Sequence, residues 1–183
     1  MPNERVFLGL GSNMGDRRTY IERAVECLVD AGVRPIRGSS VYETEPIGGP
    51  AGQLPYLNAV LEVSVSVSVR DMLVLCKKIE KELGRQPGPR WGPRPIDIDI
   101  LLWNDQIIDE PDLKIPHIEM ANRAFVLAPM DEIAPEVYNP RVARTIHELA
   151  LQLPESEAVE RLSGSVVWKQ REPERSGGRS GQD

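Results

Sequence analysis

A chain of 183 residues is long enough for one well-buried domain and too short for two of ordinary size. Its residues are 40% hydrophobic and 27% charged, which is typical of a globular protein. The net charge of −6 argues against a protein that binds nucleic acid or an anionic membrane through a broad basic face. An anionic ligand must therefore meet local cations or a metal ion.

The sequence carries no targeting signal that we recognise. No apolar run approaches the roughly 20 residues of a membrane span, and the first five residues lack the apolar core of a signal peptide. We therefore expect a cytoplasmic protein with no membrane partner. Cys27 and Cys76 have no zinc-type spacing and lie in helical patterns, so we expect two buried thiols.

The chain begins with a predicted strand and helix. Residues 5–10 form a short apolar strand, and a helical face follows between Asp16, a candidate N-cap, and Gly32. The apolar residues of that face are Ile21, Ala24, Val25 and Leu28. Between the two elements, residues 9–16 lack the third glycine of a dinucleotide-binding motif and the Gly-Lys-Ser/Thr of a P-loop. We interpret this segment as a tight turn.

A second strand is predicted at 36–44, and a third begins at Leu57 with alternating apolar and polar residues. The segment between them, 45–55, is too rich in glycine and proline for regular structure. Loops of this length are usually functional or disordered, so we expect it to serve a binding site.

The second helix is predicted to begin at Ser68 and to end before Gly84. Lys77 and Glu80 fall on its flanks, where a solvated pair is the plain expectation. Its apolar stripe contains Met72, Leu75, Cys76, Ile79 and Leu83. Residues 85–90 then combine glycine with two prolines in a short loop.

An acidic strand follows this loop. Because successive side chains of a strand alternate, the isoleucines at 96, 98 and 100 should point to one face, and Asp97 and Asp99 to the other. The two acids would then lie about 6.6 Å apart and repel by roughly 2.5 kcal/mol at an effective dielectric of about 20. That repulsion predicts a cation beside the pair.

Two kinds of cation could meet the acidic pair. Arg90 and Arg94 are close in sequence, and Mg²⁺ favours one or two carboxylates together with water and substrate phosphates. A half-exposed strand with two solvated acids is the plainer alternative, and an isolated Asp-x-Asp would favour it. The preceding Arg-Trp-Gly-Pro-Arg favours a metal and phosphate site instead.

The C-terminal part contributes further candidates. A lone histidine is usually structural, but Pro116-His117 is followed by Asn122-Arg123 and Phe125. An amphipathic helix is predicted at 145–153. Residues 171–183 hold no apolar side chain and are predicted to form a disordered tail, which leaves 1–170 as one domain.

The stretch Arg-Trp-Gly-Pro-Arg-Pro-Ile-Asp-Ile-Asp-Ile-Leu at 90–101 closely resembles the signature of the 6-hydroxymethyl-7,8-dihydropterin pyrophosphokinase family. The Gly-Ser-Asn at 11–13 and the Pro-His, Asn-Arg and Phe residues at 116–125 also resemble it. The resemblance implies an enzyme of tetrahydrofolate biosynthesis that transfers diphosphate from ATP to a pterin alcohol and releases AMP. It also implies an α+β, ferredoxin-like α/β sandwich with added strands and helices, an order of elements that the sequence follows.

The resemblance implies a set of site residues as well. It places two Mg²⁺ ions on Asp97 and Asp99, and catalytic roles on these acids with Arg85 and Arg94. The residues implied to contact ATP are Glu80, Trp91, Arg94, Ile100, Lys114, His117 and Arg123. Those implied to contact the pterin are Thr44, Pro46, Ile47, Tyr56, Asn58, Trp91 and Phe125. One departure is Ile118, where some members have a tyrosine whose hydroxyl contacts ATP.

Two other classes of function were weighed against an enzyme. A ligand-binding or regulatory domain of the same fold would bind nucleotide or pterin without forming AMP. An RNA-binding module would need exposed aromatic residues and basic character, whereas aromatic residues are only 5% of this chain. We expect an enzyme that is monomeric and has ATP and a reduced pterin alcohol as its partners.

Overall fold

The computed structural model describes residues 3–88, 92–154, 157 and 159–168. The predictions for Arg90, Trp91 and the tail at 171–183 lie outside these residues. The helices are α1 Arg17–Asp30, α2 Val69–Glu82, α3 Ala124–Ile133 and α4 Ile146–Ala150, and a 3-10 turn lies at Met120–Asn122. The long strands are β1 Glu4–Ser12, β2 Arg34–Gly38, β3 Ser40–Thr44, β4 Tyr56–Val65 and β5 Asp97–Trp103. Shorter strands follow at β6 Ile108–Glu110, β7 Leu113–Ile115, β8 Tyr138–Asn139, β9 Arg144–Thr145 and β10 Glu160–Ser165.

One antiparallel sheet organises the molecule. Its strands lie in the order β10-β3-β4-β1-β5, and β2 also pairs with β4. Strand, helix, two-part strand, strand, helix and strand follow one another from β1 to β5, which is the ferredoxin-like α+β arrangement. The predicted fold class is therefore confirmed, with β6 to β10, α3 and α4 as additions.

The sheet is covered on both faces. Helices α1 and α2 pack against one face, where Leu8 and Leu61 are fully buried. Helix α3 packs against the other face over Phe7, Val60 and Leu101. This third helix, distant in sequence, therefore covers the side of β4 that carries Val60.

The helix ends follow local chemistry. Asp16 caps α1 by accepting a hydrogen bond from the Thr19 amide at 3.1 Å, and Ser68 caps α2 by accepting one from the Asp71 amide at 3.1 Å. Gly32 and Gly84 follow the helices with φ of 90° and 95°, values that favour glycine. The predicted caps and ends of α1 and α2 are confirmed, whereas the helix predicted at 145–153 is shorter, Ile146–Ala150.

The predicted strand at 36–44 is two strands. The chain steps at Ser39, whose amide donates to the Val60 carbonyl at 2.9 Å and whose Oγ accepts from the Val60 amide at 2.9 Å. This break depends on pairing with β4, so the local sequence pattern does not reveal it. In the part of the chain that is described, no helix is long and apolar enough to cross a membrane.

Candidate active site

A cavity of about 340 Å³ opens on the α3 face of the sheet, beside the ends of β1, β4 and β5. Phe7 of β1 fills the space under α3. Gly9 and Gly11 follow on the same face of β1, and because they have no side chains the cavity remains open above them. Its lining includes residues 44–48, Arg94 and residues between 117 and 126. The predicted site residues that line it are Thr44, Pro46, Ile47, Tyr56, Asn58, Arg94, Asp97, Asp99, His117, Arg123 and Phe125.

The acidic pair lies on β5 as its alternation predicts. Asp97 and Asp99 face the cavity, and Ile98 and Ile100 are buried on the opposite face. Across the ladder, Asp97 pairs with Gly11 and Asp99 with Gly9. The expected arrangement of two acids on one side of a strand is confirmed.

Two guanidinium groups hold Asp97. Arg85 Nη1 donates to Oδ1 at 2.5 Å, and Arg94 Nη1 donates to Oδ2 at 3.0 Å. Burial alone would raise the pKa of this carboxyl, but Arg85 and then Arg94 hold it below its ordinary value. Asp97 is therefore ionised at neutral pH.

Asp99 lies in the opposite electrostatic situation. Burial, followed by repulsion from Asp97, raises the pKa of its carboxyl to about 7. Within the described ranges its side chain has no hydrogen bond or ion pair. A carboxylate of this kind, next to a second carboxylate in a cavity, is a donor set that suits Mg²⁺ held partly by substrate phosphates. Those same ranges hold no cluster of three or more histidine, cysteine or acidic side chains that could bind a metal by themselves.

Glu80 is not the solvated residue that the helical pattern predicts. It is 2% exposed and accepts hydrogen bonds from the Ile98 amide at 2.7 Å and from Lys77 Nζ at 3.0 Å. Arg85 Nη1 also lies 2.6 Å from its second oxygen. The expectation of a solvated pair is therefore wrong for Glu80, because β5 is the edge strand of the sheet and Glu80 is the acceptor for its Ile98 amide.

Three residues predicted to contact ATP lie outside the cavity wall. Besides Glu80 these are Ile100, whose side chain is in the core, and Lys114, which pairs with Asp109 across β6 and β7. Their contact with ATP stays a prediction. Trp91, predicted to contact both ligands, is outside the described residues.

We call the lining residues predicted to contact the pterin the pterin wall: Thr44, Pro46, Ile47, Tyr56, Asn58 and Phe125. Asn58 Nδ2 donates to Thr44 Oγ1 at 2.8 Å, which fixes the carboxamide on the border of the cavity. Burial raises the pKa of Tyr56, so its hydroxyl stays protonated. Phe125, from the first turn of α3, faces the same space. An amide that donates and accepts, beside aromatic rings, suits a flat heteroaromatic ligand.

Three groups predicted to contact phosphate line the same cavity: Arg94, His117 and Arg123. Burial lowers the pKa of His117, so its ring is neutral at neutral pH. Arg123 Nη2 lies 3.3 Å from Glu119 Oε2. The side chain of Ile118 is 62% exposed and does not line the cavity.

Sequence reasoning missed Gly9 and Gly11 as parts of the site. Strand β1 runs through Ser12, so both glycines lie in the strand rather than in the predicted turn. A Cβ on Gly11 would lie 3.2 Å from Asn58 Oδ1, and one on Gly9 would lie 3.3 Å from the Leu101 side chain. Two glycines on one face of an otherwise apolar strand are the signal that could have indicated this close approach.

Comparison with known proteins points to one family. The model of the family "7,8-dihydro-6-hydroxymethylpterin-pyrophosphokinase (HPPK)" matches residues 7–135. A 2-amino-4-hydroxy-6-hydroxymethyldihydropteridine pyrophosphokinase of Bacillus subtilis is 44% identical over 136 residues, which cover 74% of this chain and 81% of that protein. The protein of the same name from Pseudomonas aeruginosa is 38% identical over 163 residues, covering 88% of this chain and 99% of that protein.

Solved structures share the fold. The HPPK-DHPS protein of Plasmodium falciparum, wild type with pteroate, superposes with a TM-score of 0.64 at 19% identity over 82% of this chain. The chain spans 42% of that longer protein. At this identity the likeness supports the architecture alone.

Proposed function

The chain belongs to the 7,8-dihydro-6-hydroxymethylpterin-pyrophosphokinase family, and from that premise we propose how its residues divide the reaction. The enzyme transfers diphosphate from ATP to 6-hydroxymethyl-7,8-dihydropterin, giving the pterin diphosphate and AMP, in folate biosynthesis. The pterin hydroxymethyl oxygen attacks the β-phosphorus of ATP, and AMP leaves. Such a reaction needs alignment and charge neutralisation more than covalent help from the protein.

The observation that carries this assignment is an acidic pair in a cavity that two chemically different groups of residues also line. Asp97 and Asp99 line it together with Asn58 and Phe125, and together with Arg94, His117 and Arg123. A planar polar ligand suits the first group, and a triphosphate suits the second. The acidic pair is where the two reacting groups would meet.

Asp97 and Asp99 would hold two Mg²⁺ ions. When bound, such ions neutralise phosphate charge and polarise the phosphorus that is attacked. Asp99 faces the cavity beside Asp97 and would be kept ionised there by a bound divalent cation. Asp97 contributes a carboxylate that its arginine partners already keep ionised.

Arg85 and Arg94 would act on the transferred group. In the structure both guanidinium groups form ion pairs with Asp97, which lines the cavity. Arginine suits phosphate because its planar fork donates two parallel hydrogen bonds and is always charged. His117 and Arg123 would face the remaining phosphate oxygens from the segment that leads into α3.

The pterin would lie against the pterin wall, to which β3, β4, the loop at 45–55 and the first turn of α3 contribute. Asn58 would read the amide-like edge of the ring, because a carboxamide both donates and accepts. Tyr56 and Phe125 would contact its faces, and Thr44, Pro46 and Ile47 would close the border.

The deciding experiment mixes the protein with ATP, Mg²⁺ and 6-hydroxymethyl-7,8-dihydropterin and follows AMP by chromatography. We expect AMP and pterin diphosphate in equal amounts, and neither product when Mg²⁺ is chelated. Binding of the pterin and nucleotide without AMP would instead indicate a ligand-binding domain and would overturn the enzyme assignment. The variant Asp99→Asn removes one carboxylate from the cavity and should form far less AMP, which shows that the product depends on this site.

A further inference from the structure

The open end of the hairpin formed by β6 and β7 is held by an arginine from a different part of the chain. Arg141 Nη2 donates to the carbonyls of Ile108 and Ile115, each at 3.2 Å. These two are the first residue of β6 and the last residue of β7, and they pair with each other. One guanidinium group therefore bridges the two strands at the point where the chain leaves the hairpin.

The turn that carries Arg141 is itself held in place. It joins β8 to β9, and its buried Asn139 accepts a hydrogen bond on Oδ1 from the Arg141 amide at 3.0 Å. The Ala143 amide closes the turn by donating to the Asn139 carbonyl at 3.0 Å. The backbone of Arg141 is therefore anchored, and its side chain reaches the hairpin from a fixed position.

His117, which lines the cavity, follows the bridge by two residues. Pro116 between them has no amide hydrogen to donate, so contacts of its neighbours anchor the backbone here. Arg141 holds the Ile115 carbonyl on one side of the proline. On the other side, the His117 amide donates to the Leu101 carbonyl at 2.9 Å. The two contacts together set the path of the chain into His117.

We propose that Arg141 is a positioning residue that holds His117 in place for contact with an ATP phosphate. The inference rests on the proposed function for the identity of that ligand. The Glu119 amide donates to His117 Nδ1 at 3.3 Å, so in the neutral ring Nε2 carries the hydrogen and is the donor that suits a phosphate oxygen. A backbone shift before His117 would move this donor, and a misplacement of roughly 1 Å is enough to slow a transfer reaction strongly. Arg141 is not part of the described cavity lining, so it acts through His117.

Arg70 provides a matched control at the other end of the same hairpin. Its Nη1 donates to Asp112 Oδ2 at 2.7 Å and it also pairs with Glu110, so it ties the hairpin tip to α2. Arg70→Ala therefore frees the tip without touching the end that leads to His117. Arg144→Ala controls for charge, because Arg144 belongs to the β8 and β9 hairpin and its side chain makes no hydrogen bond to β6 or β7 in the described part of the chain.

The first measurement is amide hydrogen exchange on the full chain without ligands. We expect Arg141→Ala to raise exchange at 115–119, Arg70→Ala to raise it at 110–113 alone, and Arg144→Ala to raise it in neither segment. Unchanged exchange at 115–119 for Arg141→Ala, or an equal rise there for Arg70→Ala, would overturn the proposal. Arg141→Met keeps an unbranched side chain that donates no hydrogen bond, so it must reproduce the rise. It decides the question alone if Arg141→Ala does not fold.

The second measurement is AMP formation with each substrate varied in turn. For Arg141→Ala we expect the KM for ATP to rise about tenfold, the KM for the pterin to change less than about twofold, and kcat to fall about fivefold. Arg141→Lys, which keeps a donor on a shorter side chain, should recover part of this loss, whereas Arg70→Ala and Arg144→Ala should match the wild type within about twofold. Equal rises in both KM values for Arg141→Ala, or the same rise in the ATP KM for Arg144→Ala, would contradict the inference. If the wild-type protein makes no AMP, the proposed function fails, while the exchange pattern still decides whether Arg141 holds the segment of His117.

Discussion

Asp97 and Asp99 lie two residues apart on one strand and face one cavity, but the fold shifts their pKa values in opposite directions. Arg85 and Arg94 hold the pKa of Asp97 down, whereas burial and the charge of Asp97 raise the pKa of Asp99 to about 7. The two acids share a proposed role in binding Mg²⁺, but they should contribute to stability with opposite signs. Asparagine substitutions distinguish these contributions.

For Asp99→Asn we expect a metal-free protein that is more stable than the wild type at about pH 8, by roughly 1–3 kcal/mol. An acid whose pKa is higher when folded binds more protons in the folded state. Its contribution is therefore fully present below its ordinary value of 3.8 and is lost as the pH rises through about 7. The variant should not show this loss, and its AMP formation should fall on the order of 10³-fold. Urea unfolding at several pH values, with AMP assays in parallel, provides the test; equal stability of both proteins at pH 8 would contradict it.

For Asp97→Asn we expect the opposite change in stability. The pKa of Asp97 is lower in the folded protein, so its contribution is present above 3.8 and is lost only as the pH falls through its folded value. Removing the charge leaves Arg85 without one of its two partners and Arg94 without its ion pair, and should destabilise the protein by about 1–3 kcal/mol at neutral pH. AMP formation should also be lost. A neutral-pH midpoint in urea equal to that of Asp99→Asn would refute this account.

The two helices and the alternating acids could be predicted because their causes are local. Asp16 and Ser68 cap their own first turns, and the residues of β5 alternate by strand geometry. Recognition of the family through residues 90–101 then supplied the candidate site.

What the sequence did not reveal depends on partners distant in the chain. The break at Ser39 arises from pairing with β4, and the burial of Val60 arises from α3. Glu80 reads as a solvated flank of α2 until β5 brings the Ile98 amide to it. Periodicity within one element cannot show such contacts, because it reports only which side of that element is apolar.

The buried carboxylate of Glu80 should be a major source of stability. It accepts from the Ile98 amide and lies against Lys77 and Arg85, so Glu80→Ala leaves the Ile98 amide and Lys77 without this acceptor and removes one of the two partners of Arg85. We expect a loss of about 2–4 kcal/mol in the free energy of unfolding. Glu80→Gln, which keeps an acceptor for Ile98, should lose less than half as much. Urea denaturation of the two variants gives the comparison, and equal losses would show that the hydrogen bond to Ile98 contributes little.

The cavity gives a prediction about Gly11 that tests the pterin wall directly. A Cβ at this position would lie 3.2 Å from Asn58 Oδ1, closer than ordinary contact, so Gly11→Ala should displace the carboxamide that Thr44 holds. We expect the KM for the pterin to rise about tenfold while the KM for ATP changes less than about threefold. Gly9→Ala is the matched comparison, because it adds the same methyl group two residues earlier but meets the flexible Leu101 side chain at 3.3 Å. It should raise the pterin KM by less than Gly11→Ala does. Steady-state assays with each substrate varied measure both constants. The added methyl group acts by displacing the Asn58 side chain. If Gly11→Ala raised the KM for ATP alone, Asn58 would therefore not be a pterin contact.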